Sequence, residues 1–340
     1  MTSADASALA GALMARAPTP HSRWLTASDE PALQDLLRAR YGDTYAYRNF
    51  YAPGGLASLW DSGSLVSLGE YDDDGRLVSH TGLLLHAGRD YAESGLSLIH
   101  PHRRSAMTRD EHVAMWSHVL GVLAAHVGHL HQHTSTLHPR AQRYARQYMR
   151  AAPIGLVIDY TTGERLIGID SSDAPMQALA MTTVLRPRVG AAPRHLPAGP
   201  WFGWLADICG GLGGGPCLAA PVVDEHVGLV FGTADWNPAL QLARRVVVGV
   251  GPATSLAPAR VDLVQLPVGD ASLVARGAGV LQRAGYVPVG VRPGETDDAI
   301  VWQHLPDRAA AVASAARAVL AGETIKELFR GWSERCAPTS

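Results

Sequence analysis

Tyr91-Ala-Glu-Ser-Gly-Leu-Ser-Leu-Ile-His100 runs directly into Pro101-His-Arg-Arg-Ser-Ala-Met-Thr-Arg-Asp-Glu111, and an apolar-periodic run through Met115, Val119, Leu120 and Leu123 follows to Ala125. The first part alternates around Leu96 and Leu98 as a strand does, and Pro101 stops it because proline has no N–H for a ladder. The last part places Val113, Trp116, Leu120 and Leu123 at spacings of three and four, the pattern of a helix. Between them lies a short loop carrying Arg103 and Arg104. A strand, a basic loop and a helix start together make an anion site, because free amides and the helix dipole converge there. An ordinary strand–helix connection with two solvated arginines is the alternative.

The neighbouring segments extend this unit in both directions. Ser28-Asp-Glu-Pro31 reads as a helix start, and Leu33, Leu36 and Leu37 form one face of that helix. Thr44 to Tyr51 is dense in aromatics, and Pro53-Gly-Gly55 breaks it before a short helix from Leu56 to Trp60. Strands are expected over 65–71 and 77–85, joined by a tight turn at Asp72-Asp-Asp-Gly75. His126 to His133 holds four histidines, and in a strand His129, His131 and His133 share one face. That cluster reads either as zinc ligands or as a polar wall; no Cys or acid lies near it in the chain, and no metal is expected. A helix follows from Thr136 to Tyr148, with Arg140, Arg143, Arg146 and Arg150 close together on its wheel, then a strand from Ile154 to Tyr160.

The order strand, Pro-x-Arg-Arg loop, helix resembles motif A of the GNAT superfamily of N-acetyltransferases. Val78-Ser-His-Thr-Gly82 resembles the strand before that motif, and 133–148 resembles the family's motif B. In the family, loop amides hold the pyrophosphate of acetyl-CoA. Here Arg103 or Arg104 matches the basic position, while Ser105, Ala106, Met107 and Thr108 stand where glycines are usual. A β-carbon there narrows the space for a phosphate. The resemblance implies a cofactor-binding set of Leu98, Ile99, His100, Arg103, Arg104, Ser105, Ala106 and Met107, with acyl-CoA as co-substrate. It implies Glu93 as general base, its pKa raised by burial, amides of Leu98 to His100 polarising the carbonyl, and Tyr144, Tyr148 or His133 as acid. It makes Tyr45, Tyr47 and Tyr51 candidates for the acceptor pocket; core packing is the other reading of these tyrosines. Arg140 and Arg143 would grip phosphates of CoA, of a carrier-protein arm or of tRNA, or else are simply solvated.

The second half carries strand signals at 182–188, 227–231, 245–250, 261–266, 287–291 and 299–304, and helix signals at 201–209, 271–284 and 309–332. Gly210 to Gly215 lacks the Lys-Ser/Thr of a phosphate loop and reads as a flexible loop. The run Val261 to Pro267, a helix, then Ala284-Gly-Tyr-Val-Pro288 resembles the end of the same fold. The expected architecture is therefore α/β (α+β): a mixed, mostly antiparallel central sheet flanked by helices, duplicated in tandem. Its expected divisions are a flexible arm at 1–20, a donor-binding domain at 21–165 and a degenerate second copy at 175–337.

Composition limits the function. The 340 residues are 47% hydrophobic and 18% charged, the profile of a folded chain. A net charge of −2 provides no global field toward DNA or an anionic membrane, and no stretch is long enough to span a bilayer. Cys209, Cys217 and Cys336 make no disulfide framework, which fits a reducing cytoplasm. The resemblance leaves three functional expectations. The first is acyl transfer from acyl-CoA or a carrier-bound thioester to a small-molecule amine. The second is aminoacyl-tRNA-dependent transfer, and the third is a non-catalytic ligand-binding protein.

Overall fold

The computed structural model describes residues 3–16, 19–161, 166–167, 176–186, 192–223, 227–232, 235–251, 259, 261–294 and 298–337. It begins with α1 (Ser3–Met14), where Leu9 and Leu13, one turn apart, are fully buried against the later helix Arg109–His126. Of the two readings of the N-terminal segment, a flexible or a loosely docked arm, α1 takes the docked form, held by an apolar face. Next come β1 (Ser22–Trp24), α2 (Glu30–Tyr41), α3 (Ala57–Asp61), β2 (Leu65–Tyr71), β3 (Leu77–Leu85) and β4 (Tyr91–Ile99). Asp72 forms the β2–β3 turn as the sequence indicates, its carboxylate accepting from the amides of Asp74 and Arg76. After β4 come α4 (Arg109–His126), β5 (His129–Ser135), α5 (Arg140–Tyr148), β6 (Ala152–Thr161) and β7 (Met176–Val184). The stripe α4 buries is Met115, Trp116, Val119 and Leu123, so the helix is rotated from the expected face and Val113 is 47% exposed.

β7 departs from the expected division. Read as the opening of the second half, it pairs instead with β5 on one side and β6 on the other, both antiparallel. The first unit therefore extends to Val184, past the expected boundary at 165.

The second unit comprises β8 (Arg194–Pro197), α6 (Phe202–Leu212), β9 (Cys217–Ala220), β10 (Gly228–Phe231), β11 (Asp235–Asn237), β12 (Leu242–Gly251) and β13 (Val261–Pro267). It continues with α7 (Ala271–Arg283), β14 (Tyr286–Arg292), β15 (Ala299–His304), α8 (Arg308–Ala315) and α9 (Glu323–Cys336). Gly210 and Gly211, expected in a loop, belong to α6, and Gly213 at φ 69 terminates it. The single terminal helix expected over 309–332 is broken before Gly322, whose φ of 84 places it in the left-handed region.

The strands form one 13-stranded sheet in the order β1-β2-β3-β4-β5-β7-β6-β14-β15-β13-β12-β10, with β11 on β12 and a separate β8–β9 pair. The second unit repeats the first. β12 and β13 are parallel, as β4 and β5 are, and β15 sits between β13 and β14 as β7 sits between β5 and β6. Among the described residues no counterpart of α4 lies between β12 and β13. Residues 252–260 alone separate β12 from β13, too few for an 18-residue helix. The two copies meet through equivalent strands, β6 and β14, which pair at Gly155 and Gly290.

Within the first unit the sheet has two separately filled faces. Leu65 and Leu98 pack with Leu33, Leu36 and Leu37 of α2. Val66, Leu68, Ala92 and Leu130 pack with Met115 and Trp116 of α4. Alternate residues of β2 thus point to opposite helical layers, as a pleated strand requires.

Candidate functional site

β4 and β5 pair from Tyr91–His129 to Ser94–Gln132 and then part, although β4 continues to Ile99 and β5 to Ser135. A bulge in β4 accompanies the parting. Gly95 faces Gly82 and Leu98 faces His80, so Leu96 and Ser97 together oppose one residue of β3. Leu96 takes φ 50, and the extra residue reverses which face the strand presents, carrying Leu98 into the α2 core while Ala92 stays in the α4 core. His80 fixes the bulge by donating from Nδ1 to the Leu96 carbonyl at 2.7 Å. Burial pushes its pKa down to about 4, so the ring that makes this bond is neutral.

Just before the strands part, a cavity opens on the face opposite α4. Glu93, His131 and His133 of the first unit and Arg244, Gln265 and Arg292 of the second line it, among apolar side chains of both such as Ile154, Met181 and Val289. The two units also touch through Arg89–Asp235 at 3.7 Å and the Asn237 amide donating to Tyr47 Oη at 2.8 Å. The cavity volume is about 40 Å³. At ~10–15 Å³ per water on this scale, it holds a few waters or a small polar group, not a nucleotide.

Glu93, with 23% of its side chain exposed, lies 3.5 Å from His133 Nδ1 and 3.5 Å from His86 Nε2. Neither nitrogen has hydrogen-bond geometry, so these are contacts of charge and proximity. Burial alone raises the Glu93 pKa, but His133, His86 and the charge of Arg244 together outweigh it and hold the carboxyl well below the usual range. The expected upward shift is therefore reversed, because the two imidazoles come from β5 and the β3–β4 connection, far apart in sequence. Arg292 lies over the Tyr91 ring at 4.4 Å, and that ring also meets His131 at 5.0 Å and His86 at 5.1 Å. His131 is neutral, its pKa driven well down by burial and then by the nearby Arg292 charge.

Because the Glu93 pKa is depressed, its ionised form stabilises the fold above the pKa of an unfolded glutamate, and that contribution is lost as pH falls through the folded value. Glu93→Gln should therefore melt below the wild type at neutral pH, and the two melting curves should converge in acid. Melting temperatures measured from pH 7 down to pH 3 test this. A constant gap across that range would contradict it.

Much of the loop from His100 to Thr108 is bonded within the fold. The amides of His100 and Ala106 donate to the Val78 and Tyr71 carbonyls, and those of His102 and Met107 to His100 Nδ1 and Ser105 Oγ. Thr108 and Glu111 form a reciprocal capping box, so α4 begins with its own acid over its N-terminus. Arg103 is paired with Asp72 at 2.9 Å, Arg104 is exposed, and Ile99 is 52% exposed. These residues do not fit a diphosphate in the manner expected of acetyl-CoA. The His100 amide is also committed and cannot polarise a substrate carbonyl.

The other expected site residues lie apart from the cavity. Tyr144 and Tyr148 pack on the α4 face. Trp116 Nε1 donates to Tyr144 Oη at 2.9 Å, His112 Nδ1 lies 3.1 Å from the same oxygen, and the Tyr148 ring lies 5.2 Å from that of His112. Burial, and secondarily the Glu70 charge, drives the Tyr144 pKa up. Tyr45 and Tyr47 stack with Phe50, and Tyr51 Oη accepts from the Tyr45 amide, so these half-buried tyrosines pack against the α2 core. Arg140 and Arg143 are exposed. Conversely, Arg244, Gln265, Arg292, His86 and Tyr91 were not singled out from sequence. The two arginines sit in strands whose inward direction depends on the join between the copies.

No protein-family model matches the chain, and no curated protein sequence does. Among solved structures, similar folds occur in N-acetyltransferases. A GNAT-superfamily phosphinothricin acetyltransferase of Sinorhizobium meliloti in complex with AcCoA is 13% identical, with 48% of this chain and 86% of that one covered and a TM-score of 0.37. A spermidine N-acetyltransferase of Vibrio cholerae is 12% identical over 49% and 95%, with a TM-score of 0.37. The ribosomal-protein-S18-alanine N-acetyltransferase of Escherichia coli is 13% identical over 49% and 95%, with a TM-score of 0.36. Each spans about half of this chain. Among the described residues no helix is long and apolar enough to cross a membrane, and no three His, Cys, Asp or Glu side chains converge as a metal site.

Proposed function

We propose that the chain transfers an acyl group to the amine of a small molecule in the cavity between its two copies. The observation that carries this reading is the parting of the parallel pair β4–β5 beside Glu93 and His133, which leaves strand edges facing the cavity that those two side chains line. In the proposed reaction the amine nitrogen attacks the acyl carbon, the N–C bond forms, and the bond to the donor's sulfur or oxygen breaks. His133 takes the amine proton and returns it to the leaving group. Glu93 is too acidic to hold that proton and acts as a positioning residue, keeping the His133 ring oriented by charge. Tyr144 and Tyr148, across the sheet, take no part in this scheme.

The self-bonded loop argues for a donor that is not held by a diphosphate at the α4 N-terminus. A carrier-bound thioester or an aminoacyl ester of tRNA would meet the exposed face of Arg140, Arg143, Arg146 and Arg150 instead. The test is amide formation with acyl-CoAs, carrier-bound thioesters and an aminoacyl-tRNA pool, each at low and high salt. Glu93→Gln should lower kcat by ~10²-fold with KM little changed, and His133→Asn should lower kcat at least as far. Full turnover in both variants would refute the assignment. Salt-sensitive turnover with tRNA would select that donor. Ligand binding without product from any donor would leave a binding protein.

A further inference from the structure

We infer that the cavity holds the carboxylate of its substrate between Arg244 and Arg292, which makes the acceptor a small amino carboxylate. The inference rests on the acyl-transfer reading above for the word acceptor, but the carboxylate site stands on its own geometry.

Arg244 comes from β12 and Arg292 from β14, and both line the cavity. Neither has an acidic partner within 4 Å among the described residues, whereas Arg194, Arg245 and Arg186 are all paired. The aromatic face of Tyr91 is the contact that supports Arg292. Glu93 is the one carboxylate on the cavity wall, and it lies between His133 and His86. Two positive charges therefore face one negative charge in a partly open space lined otherwise by apolar side chains, and such an excess calls for one further anion. A carboxylate supplies a single charge, while a phosphate monoester brings close to two at neutral pH.

Hydrogen-bonding capacity points the same way. Gln132 Nε2 and His131 Nε2 are both buried without a partner, on residues 5% and 4% exposed that line the cavity. Buried polar nitrogens without partners are uncommon in folded chains and mark places where a ligand or water completes the bonding. Guanidinium groups match a planar carboxylate with paired N–H donors. The same excess of positive charge disfavours an ammonium and favours the free amine, the form that attacks an acyl carbon. The charges thus balance when the bound molecule is a carboxylate with a neutral amine.

Calorimetry and thermal shift with the proteinogenic amino acids, their decarboxylated amines and inorganic phosphate test the site. At least one amino acid should bind and its decarboxylated amine should bind ~10- to 100-fold more weakly, the range expected for charged hydrogen bonds. Arg244→Met and Arg292→Met should each reduce the amino acid's affinity by a similar factor. Arg292→Lys, which keeps the charge and is the safer variant for folding, should restore only part of it. Equal binding of acid and amine, preference for phosphate, or no binding across the panel would each overturn the inference. Binding that is lost in the arginine variants, but with no amide formed from any donor, would sustain the carboxylate site and defeat the transfer reading. Amide formation from plain amines at unchanged rates in the arginine variants would do the reverse.

Discussion

Gly290→Val should separate the two halves of the sheet and abolish cooperative melting at the wild-type temperature. A β-carbon at Gly290 would stand 2.2 Å from the Ile154 carbonyl oxygen and 2.7 Å from Gly155 Cα. A β-carbon at Gly155 would meet the Val289 oxygen at 2.3 Å and Gly290 Cα at 2.7 Å. The obstacles are main-chain atoms on both sides, so no rotamer change relieves them, and the strands must move apart. Overpacking in a core costs about 1–3 kcal/mol where side chains can adjust, and more where they cannot. The backbone pairing at this level is short, and α6 packs across both strands. β6 and β14 pair at the two glycines, and the Gln303 side chain extends the contact by accepting from the Ile158 amide at 2.9 Å and donating to its carbonyl at 2.8 Å. The amide of Gln303 thus stands in for a strand residue. Scanning calorimetry of Gly290→Val and Gly155→Val should show either a large downward shift or two separate transitions. Gln303→Leu, which leaves the Ile158 groups buried and unpaired, should cost a further but smaller amount, about 1–3 kcal/mol. A Gly290→Val protein that melts with the wild type would rule out this account of the join.

The same join explains which features could be anticipated from the residues. The turn at Asp72, the strand from Tyr91, the helix after Thr108 and the shared face of His129, His131 and His133 depend on neighbours within a few positions. Period-two alternation, a capping box and turn residues report such local geometry directly. The repeat of the fold in the second half was also visible, because Val261 to Pro267, α7 and Tyr286 preserve its local order. Strand adjacency is different. Nothing within Met176–Val184 says that it enters between β5 and β6, since its apolar run would suit any interior position of a sheet.

The site follows the same division. Glu93 and His133 are legible as candidates because the strands around them have a recognisable order. Arg244 and Arg292 were not, because a charged residue in a strand reads as surface until the strand's inner face is known. The acidity of Glu93 was misjudged for a related reason. Burial was anticipated, but His86 lies seven residues earlier and His133 forty later, and their combined effect appears only when β3, β4 and β5 lie side by side. The basic loop at Arg103 and Arg104 reads as an anion site or an ordinary connection, and the pairing of Arg103 with Asp72 and of the His100, His102, Ala106 and Met107 amides within the fold is a pattern of partners that no motif encodes.

Asp298→Ala should destabilise the second unit by about 3–5 kcal/mol, the usual cost of leaving one member of a buried ion pair without its partner. Asp298 is 2% exposed and Arg194 8%, and the guanidinium Nε donates to the carboxylate at 2.5 Å. The remaining N–H groups of Arg194 donate to the Cys209 and Gly213 carbonyls at the end of α6, so the charge cannot swing out to solvent without breaking that helix end. Urea denaturation of Asp298→Ala should show the loss. The double variant Arg194→Met/Asp298→Ala should recover much of it, because an apolar replacement of both partners removes the stranded charge. Asp298 also stands just before β15, at the far end of the connection from Arg292 in β14. Loosening that connection should weaken the hold on Arg292 as well, so Asp298→Ala should lose affinity for an amino carboxylate although it touches no part of the cavity. Stability within 1 kcal/mol of wild type, with binding unchanged, would mean that Arg194 and Asp298 are neither a structural clamp nor a support for the site.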